Sequence, residues 1–380
     1  MTGVRMANLT ISTELDVEDL AWGACFQGIG GGGVVSEGLR LLKKAMAEHG
    51  PVTAVDPDDF PDDEYVVTTS FMGNRAPLTP EQEEQKKNLG LVEWKYENNL
   101  LEALRFMEKI SGKKISGIVP SELGGANTPG PLATALSLGI TPINGDYTGK
   151  AKPETKQGMP CIEGVPLTPM TSVDKWGNKA VVYETVNSAL AEREGKMLAT
   201  AAFGNTAMAF FLMTGREMKK YIFRNTLTEC FEIGRHMRLT REAGGDVRQA
   251  LLDFTGAKML FEGKVVRKEW GIPDGYYSGY HWLEGTGNWA GHTFKVWFKN
   301  ENHITWLDEK PYVTTPDRVA QVLTASGQPI MTQEIEEGMN ISFMAVPSRA
   351  RHREPKALPF MEPRHYGFDI DYVPMEELVK

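Results

Sequence analysis

The chain has 380 residues, of which 41% are hydrophobic and 24% are charged, a balance typical of a globular protein with two hydrophobic cores. The formal net charge is -9, so the chain lacks the positive charge that non-specific binding to phosphate backbones requires. We therefore expect no nucleic-acid partner. Residues 1–10 have no apolar run after Arg5, which indicates a protein without a signal peptide and a cytoplasmic location.

Five glycines occupy the six positions from Gly28 to Gly33, directly before a segment of helical periodicity that ends at Gly50. A Rossmann site needs a buried strand before such glycines, whereas the preceding DVEDLAWGACFQG begins like a helix, so the dinucleotide fingerprint is only half met. The loop either lets one helix turn tightly into the next or presents backbone N–H groups to a small anion or a substrate. We interpret Gly30, Gly31, Gly32 and Gly33 as substrate contacts.

Strands and helices then alternate. VTAVD, YVVTTSFM, ISGIV and ITPI are predicted strands, and helices are predicted from Thr79-Pro80, through residues 100–112 and at PLATALSLG. This order indicates a parallel α/β sheet. Residues 195–245 are predicted to be mostly helical, and the apolar stretch from Met197 is interpreted as a buried helix rather than a membrane span.

From Leu260 the pattern changes to short β-branched and aromatic segments, which predict a small antiparallel β-domain. We therefore divide the chain into an α/β domain at 1–255, a β-domain at 256–350 and a C-terminal segment at 351–380. In that segment, residues 368–372 alternate polar and apolar side chains. We expect a strand there that returns to the α/β core and holds His365 near the cleft.

Glu122 and Asp146 follow two predicted parallel strands, at the sheet edge where open α/β folds bind ligands. Two carboxyl groups in one cleft can have different pKa values, one acting as a base and the other as an acid. Asn127, Lys150 and Glu154 add polar groups to the same edge. The alternative is structural: Glu122 caps the next helix and Asp146 braces a turn.

Other chemistries have weaker support. The seven histidines form no HExxH or HxH motif, although His281, His292 and His303 lie in the β-domain. Cys25, Cys161 and Cys230 form no CxxC motif, and Cys25 is better explained as a buried thiol than as a nucleophile. A divalent metal held by Asp146 and Glu154 is an alternative way to activate water, ranked below a metal-free scheme.

Several blocks together resemble the S-methyl-thiohydantoin desulfurase family over nearly the whole chain. These blocks are GIGGGG at Gly28, PSELGGANTPGPLATA at Pro120, NGDYTGKAKPE at Asn144, FEGKVV at Phe261, FKNENHITW at Phe298, TPDRVAQVL at Thr315 and PRHYGFDIDYVP at Pro363.

The resemblance implies a three-layer α/β domain followed by a small β-barrel-like domain. It also implies an activity on hydantoin-like rings, in which water replaces a methylthio group and methanethiol leaves. Relatives often accompany hydantoinase and oxoprolinase genes. The positions that match the family pattern are Glu122, Gly124, Gly125, Asn127, Asp146, Gly149, Glu154, His365 and Asp369.

Three positions depart from that pattern. The family usually has aspartate at Asn144, arginine at Lys150 and a small polar residue at Ile29. These changes remove a carboxylate, replace a forked guanidinium with a point charge and remove a possible hydroxyl or thiol group. They leave open the hydrolysis of another cyclic amide or imide.

The sequence thus predicts a hydrolase of a hydantoin-like ring that needs no cofactor. Two other functions remain open: a scaffold or ligand-binding subunit of a hydantoinase- or oxoprolinase-type complex, and a nicotinamide-dependent oxidoreductase. We expect a homo-oligomer that binds a small ring substrate and no membrane. The predicted catalytic residues are Glu122, Asp146 and His365, and the predicted substrate contacts are Gly30–Gly33, Asn127, Lys150 and Glu154.

Overall fold

A computed structural model describes residues 8–73 and 78–379, so most of the N-terminal stretch examined for a signal peptide lies outside the described residues. Two large sheets organise the chain into two domains with mixed helices and strands, as predicted. The helices are α1 Glu14–Gln27, α2 Val35–His49, α3 Pro80–Asn88, α4 Asn99–Ser111, α5 Pro129–Leu138, α6 Met159–Ile162, α7 Ser188–Ala201, α8 Gly215–Tyr221, α9 Thr226–Glu242, α10 Val247–Thr255 and α11 Met375–Leu378.

Four strands, β2 to β5, match the four segments predicted in the first half of the chain. The strands of the described residues are β1 Leu9–Ile11, β2 Val52–Ala54, β3 Tyr65–Gly73, β4 Ile115–Ile118, β5 Thr141–Pro142, β6 Gly145–Asp146, β7 Met170–Val173, β8 Lys179–Val182, β9 Asn205–Thr214, β10 Phe223–Arg224, β11 Lys258–Gly271, β12 Ser278–Gly285, β13 Thr293–Lys299, β14 Glu301–Leu307, β15 Lys310–Thr314, β16 Arg318–Leu323 and β17 Asn340–Val346.

The first domain is built on a six-stranded sheet with the order β5-β4-β3-β9-β7-β8. Strands β3, β4 and β5 are parallel, but β9 runs antiparallel to β3 and β7, so the sheet is mixed and the expectation of a parallel sheet is only partly correct. Successive residues of β9 point into different cores. Ala207 and Ala209 pack in the core that contains α4, and Met208 and Phe210 pack in the core that contains α7.

The helical prediction for residues 195–245 is wrong over strand β9. Helix α7 ends at Ala201, and Phe203 and Gly204 then turn the chain with positive φ angles of 58° and 143°. A central strand is buried on both faces and therefore has a continuous apolar sequence, which periodicity cannot distinguish from a buried helix. Among the described residues, none of the helices combines the length and the apolarity needed to cross a bilayer.

The second domain is a seven-stranded antiparallel sheet with the order β15-β14-β13-β12-β11-β17-β16. It curls into a half-barrel, so that β14 and β15 approach β16. The sheet confirms the predicted antiparallel β-domain. The prediction of a strand at residues 368–372 is wrong, because this described stretch has no regular secondary structure. Asp369 and Asp371 both accept hydrogen bonds from the guanidinium group of Arg364.

The glycine-rich loop joins two helices. Helix α1 begins at a capping box in which Thr13 and Asp16 bond each other's backbone N–H groups, and it ends at Gly28. Helix α2 follows, with its buried face against α5. This helix–loop–helix context confirms that the strand required before a Rossmann glycine loop is not here.

Candidate active site

A pocket with a volume of about 90 Å³ lies where the two domains meet. The α/β domain supplies the ends of β3 and β4 and one face of α7, and the β-domain supplies the first residue of β14. Twelve of the lining residues have polar side chains, which can orient a small polar molecule. They are Ser70, Ser121, Glu122, Asn127, Lys152, Thr155, Glu192, Lys196, Asn205, Asn300, Glu301 and Gln333.

The glycine loop allows three segments to converge on this pocket. A Cβ atom on Gly31 would lie 1.8 Å from Glu301 Oε1, and one on Gly32 would lie 2.5 Å from the Cα of Gly124. Gly31, Gly32 and Gly33 line the pocket, whereas Gly30 packs against Thr332 outside it. Among the described residues, no acceptor bonds the backbone N–H groups of Gly32 and Gly33. The loop thus has both a packing role and free donors at the pocket.

We expect Gly31→Ala to damage the site through Glu301. The new Cβ atom would overlap the carboxyl group, and relieving such an overlap typically costs about 1–3 kcal/mol and moves the side chain. Turnover and the melting temperature should therefore both fall. Gly271→Ala is the control, because its Cβ atom would lie 3.9 Å from the Cδ atom of Pro273, an ordinary van der Waals distance. Equal effects of the two substitutions would argue against this packing role.

Glu122 is held in a fixed position in the loop after β4. Its Oε1 accepts from Asn127 Nδ2 at 2.7 Å, and its Oε2 accepts from Lys152 N at 3.0 Å and Nζ at 3.4 Å. Asn127 Oδ1 in turn accepts from the N–H of Phe71, which ties the carboxylate to β3. Side chain and sheet therefore form one rigid unit, with a carboxylate that is ion-paired at the pocket wall.

Glu301 is a second carboxyl group on the same pocket, and the sequence analysis did not select it. It is 1% exposed and its Oε2 has no hydrogen-bond partner among the described residues. Burial, and next the negative charge of Glu122, raise the pKa of Glu301 well above its ordinary value. Burial and the nearby negative charge therefore favour the protonated form of Glu301, while Glu122 is ion-paired with Lys152.

Asp146 does not line the pocket, so the expectation that Glu122 and Asp146 face one cleft is not met. Strands β4 and β5 are neighbours as predicted, and Thr148 Oγ1 donates to Ser121 O at 3.0 Å. However, Asp146 Oδ2 accepts from the N–H groups of Thr148 and Gly149 at 2.8 and 2.6 Å, within its own turn. These contacts match the alternative in which Asp146 braces a turn.

Asp146 should affect the pH dependence of stability and not the chemistry. Burial raises its pKa from 3.8 to about 6, so between these values the folded protein holds a proton that the unfolded chain has released. Stability therefore falls as the pH rises through this window, and Asp146→Asn should remove that slope. Turnover of the folded enzyme should stay within about threefold. Urea unfolding at several pH values, together with turnover, tests this; a hundredfold loss of turnover would contradict it.

Lys150, Glu154 and His365 also lie outside the pocket lining. Lys150 is 1% exposed, its Nζ donates to Ala151 O at 3.3 Å, and burial lowers its pKa to about 8. Both oxygens of Glu154 have partners: Oε1 pairs with Lys299, and Oε2 accepts from His365 Nε2 at 2.8 Å. Glu154 and His365 thus join the two domains beside the site.

Two of the other nucleophile and ligand candidates, Cys25 and His281, are buried. Burial raises the pKa of Cys25 to about 12, which confirms the buried thiol. His281 packs against Phe298 with 4.7 Å between ring centroids and 34° between the ring planes, and burial lowers the pKa of His281 to about 3. In residues 8–73 and 78–379, no group of three or more histidine, cysteine, aspartate or glutamate side chains could hold a metal ion.

Four charged residues of the pocket were not predicted from the sequence, although their positions in the sequence carry a signal. Glu192 and Lys196 are spaced i, i+4 on the face of α7 that also carries Ala191, Gly195 and Ala199. Charges on the small-residue, buried face of a helix need a partner or a function. The remaining two are Lys152, which lies in the NGDYTGKAKPE block, and Glu301, an acid at the start of the buried strand β14.

Comparisons with known proteins agree with this architecture. A family model described as the S-Me-THD-like N-terminal domain matches residues 15–184, and one described as the S-Me-THD-like C-terminal domain matches residues 186–375. No curated protein matches the chain significantly.

A crystal structure of a protein from Chromobacterium violaceum aligns with a TM-score of 0.74 and 22% identity, over 97% of this chain and 100% of that one. At that identity the likeness supports the fold alone. The two family models together cover nearly the whole chain, so the protein belongs to the S-Me-THD-like family, the S-methyl-thiohydantoin desulfurase family that its sequence resembles.

Proposed function

We propose that the protein is a hydrolase that removes methanethiol from an S-methyl-thiohydantoin ring, with Glu122 as general base and Glu301 as general acid. One observation carries the proposal: two carboxyl groups line the same small pocket, that of Glu122 ion-paired with Lys152 and that of Glu301 buried with no hydrogen-bond partner for its Oε2 among the described residues. Such a pair is what acid–base hydrolysis requires. The ring substrate is inferred from the family name, and the acid and base roles are inferred from the residues of the pocket.

Glu122 suits the role of base. Asn127 and Lys152 fix its orientation, so a water molecule in the pocket would meet a carboxyl group of constant geometry. A base that is held in place loses less entropy in the transition state than a mobile one.

Glu301 suits the role of acid for the opposite reason. Its burial and the charge of Glu122 favour the neutral form, so it carries a proton that it can donate when the leaving group departs. The backbone of Gly31 packs against its carboxyl group and leaves it one position.

The proposed reaction has two stages, the addition of water to the ring and the loss of methanethiol. Glu122 takes a proton from water, the oxygen bonds to the ring carbon that bears the methylthio group, and the π pair of the C=N bond moves onto the ring nitrogen. The C–S bond then breaks and sulfur leaves with the proton of Glu301. The new hydroxyl group returns a proton to Glu301, and Glu122 passes its own proton to the ring nitrogen. The products are a hydantoin and methanethiol, and no electron acceptor is needed.

The free N–H groups of Gly32 and Gly33 provide donors for a ring oxygen at the same wall. They fit a substrate contact of the kind predicted from the glycine loop.

The test is to incubate the full chain with an S-methyl-thiohydantoin and to measure methanethiol and hydantoin. We expect equal amounts of the two products. A non-catalytic subunit of a hydantoinase-type complex would release neither product when purified alone, and it would keep its effect on a partner enzyme when Glu122 and Glu301 are neutralised. Either result would reject the proposed hydrolase.

A further inference from the structure

Lys196 is a buried cation in the pocket that the two-carboxyl scheme does not use. It lies on α7, is 4% exposed and lines the pocket. Among the described residues, no oxygen accepts a hydrogen bond from its ammonium group; its Nζ lies 4.2 Å from the centroid of the Tyr276 ring. An aromatic face attracts a cation, but it does not replace the acceptors that an ammonium loses on leaving water.

The second pocket lysine shows what a satisfied cation looks like here. Lys152 Nζ donates to Ser121 O at 3.0 Å, to Ser121 Oγ at 2.7 Å and to Glu122 Oε2 at 3.4 Å, so all three of its protons have acceptors. Lys196 is equally buried and has none of these bonds. The difference identifies Lys196 as the cation with free donors for a bound molecule.

The neighbouring residues hold Lys196 in place but accept no hydrogen bond from its ammonium group. Tyr276 donates to Glu192 Oε1 at 3.3 Å, which fixes the aromatic ring between Lys196 and Lys299. Burial lowers the pKa of Lys196, and the charges of Glu192, Glu301 and Glu122 oppose that change. The ammonium group therefore faces the pocket with hydrogen-bond donors that no described residue uses, and a bound molecule can accept from them.

We propose that Lys196 is a catalytic residue that binds the ring carbonyl oxygen next to the C=N bond and stabilises the negative charge that forms there. This inference rests on the proposed function. When water adds to the ring carbon, the π pair that moves onto the ring nitrogen is shared with this conjugated carbonyl oxygen. The charge disappears again when that nitrogen is protonated, so Lys196 interacts most strongly with the intermediate and its transition states.

The steady-state kinetics of the Lys196→Met variant test whether Lys196 interacts with the transition state more strongly than with the bound substrate. We expect kcat to fall by about a hundredfold with KM nearly unchanged, because the lost charge acts mainly in the transition state. The melting temperature should equal or exceed that of the wild type, since an unsatisfied buried ammonium is replaced by an apolar chain of similar length. Arg193→Gln, which removes an exposed charge from the same helix, should change neither property. A raised KM with unchanged kcat, or a loss of stability without loss of kcat, would overturn the inference.

A binding experiment gives an answer that does not depend on turnover. Barbiturate, a ring imide that is ionised at neutral pH, and uracil, a neutral ring of similar size, are titrated calorimetrically into the full chain. The wild type should bind barbiturate at least about tenfold more tightly, and Lys196→Met should lose this preference. Equal affinity in the wild type, or a preference that persists in the variant, would reject the role of Lys196. Absence of turnover in the wild type would instead reject the proposed function.

Discussion

Glu301→Gln is expected to lower turnover by at least about a hundredfold while the protein stays folded. Glutamine has nearly the shape of the neutral carboxyl group, so it keeps the packing against Gly31 but has no acidic proton to give. Because the pKa of Glu301 in the folded protein lies well above its ordinary value, the stability of the wild type falls as the pH rises from the ordinary pKa toward the folded-state pKa. The variant should lose this dependence.

The same reasoning sets the pH profile of activity. An acid works only while it holds its proton, so wild-type turnover should fall at high pH, as the pH rises through the raised pKa of Glu301. Glu284→Gln, at an exposed position of the same sheet, is the matched control and should leave turnover unchanged. If Glu301→Gln keeps full turnover, or if only its stability suffers, Glu301 is not the acid.

Glu122→Gln is expected to lower turnover by about 10² to 10⁴-fold, because the amide cannot take a proton from water. Unlike the change at Glu301, this one should also lower stability. It leaves the buried ammonium of Lys152 without its charged partner, at a cost of about 1–3 kcal/mol in the free energy of unfolding. Activity must therefore be expressed per folded molecule, with the folded fraction measured by circular dichroism.

A double substitution separates the two effects of Glu122. In Glu122→Gln combined with Lys152→Met, the unpaired cation is removed, so stability should recover toward that of the wild type. Turnover should stay low because the base is still missing. Recovery of turnover together with stability would mean that Glu122 has a structural role alone.

Local sequence patterns predicted the part of the site that comes from one sheet edge. Glu122 follows a short apolar strand, and parallel neighbours place such a residue at the ligand-binding edge. The same rule was misleading for Asp146, because the rule gives the position of a residue and not the direction of its side chain. The carboxylate of Asp146 turns back to the N–H groups of Thr148 and Gly149, a choice made by turn geometry.

The position of Glu301 in the pocket could not be predicted from local sequence patterns, since this residue belongs to the β-domain. Glu301 reaches the pocket because the β-domain packs against the glycine loop, where Asn302 donates its N–H to Ile29 O at 3.1 Å. This contact depends on tertiary packing between segments distant in sequence. Strand β9 was missed for a related reason, because its burial on both faces removes the alternation that marks an exposed strand.

The most direct test of the two-carboxyl mechanism follows the oxygen atom of water. The wild type and the Glu122→Gln, Glu301→Gln double variant are each incubated with an S-methyl-thiohydantoin in ¹⁸O-labelled water, and the ring product is analysed by mass spectrometry. The account predicts that the wild type releases one methanethiol for each hydantoin that carries a single ¹⁸O at the former methylthio carbon, and that the double variant forms neither above the uncatalysed rate. Product formation by the double variant at the wild-type rate, or no labelled hydantoin from the wild type, would contradict it.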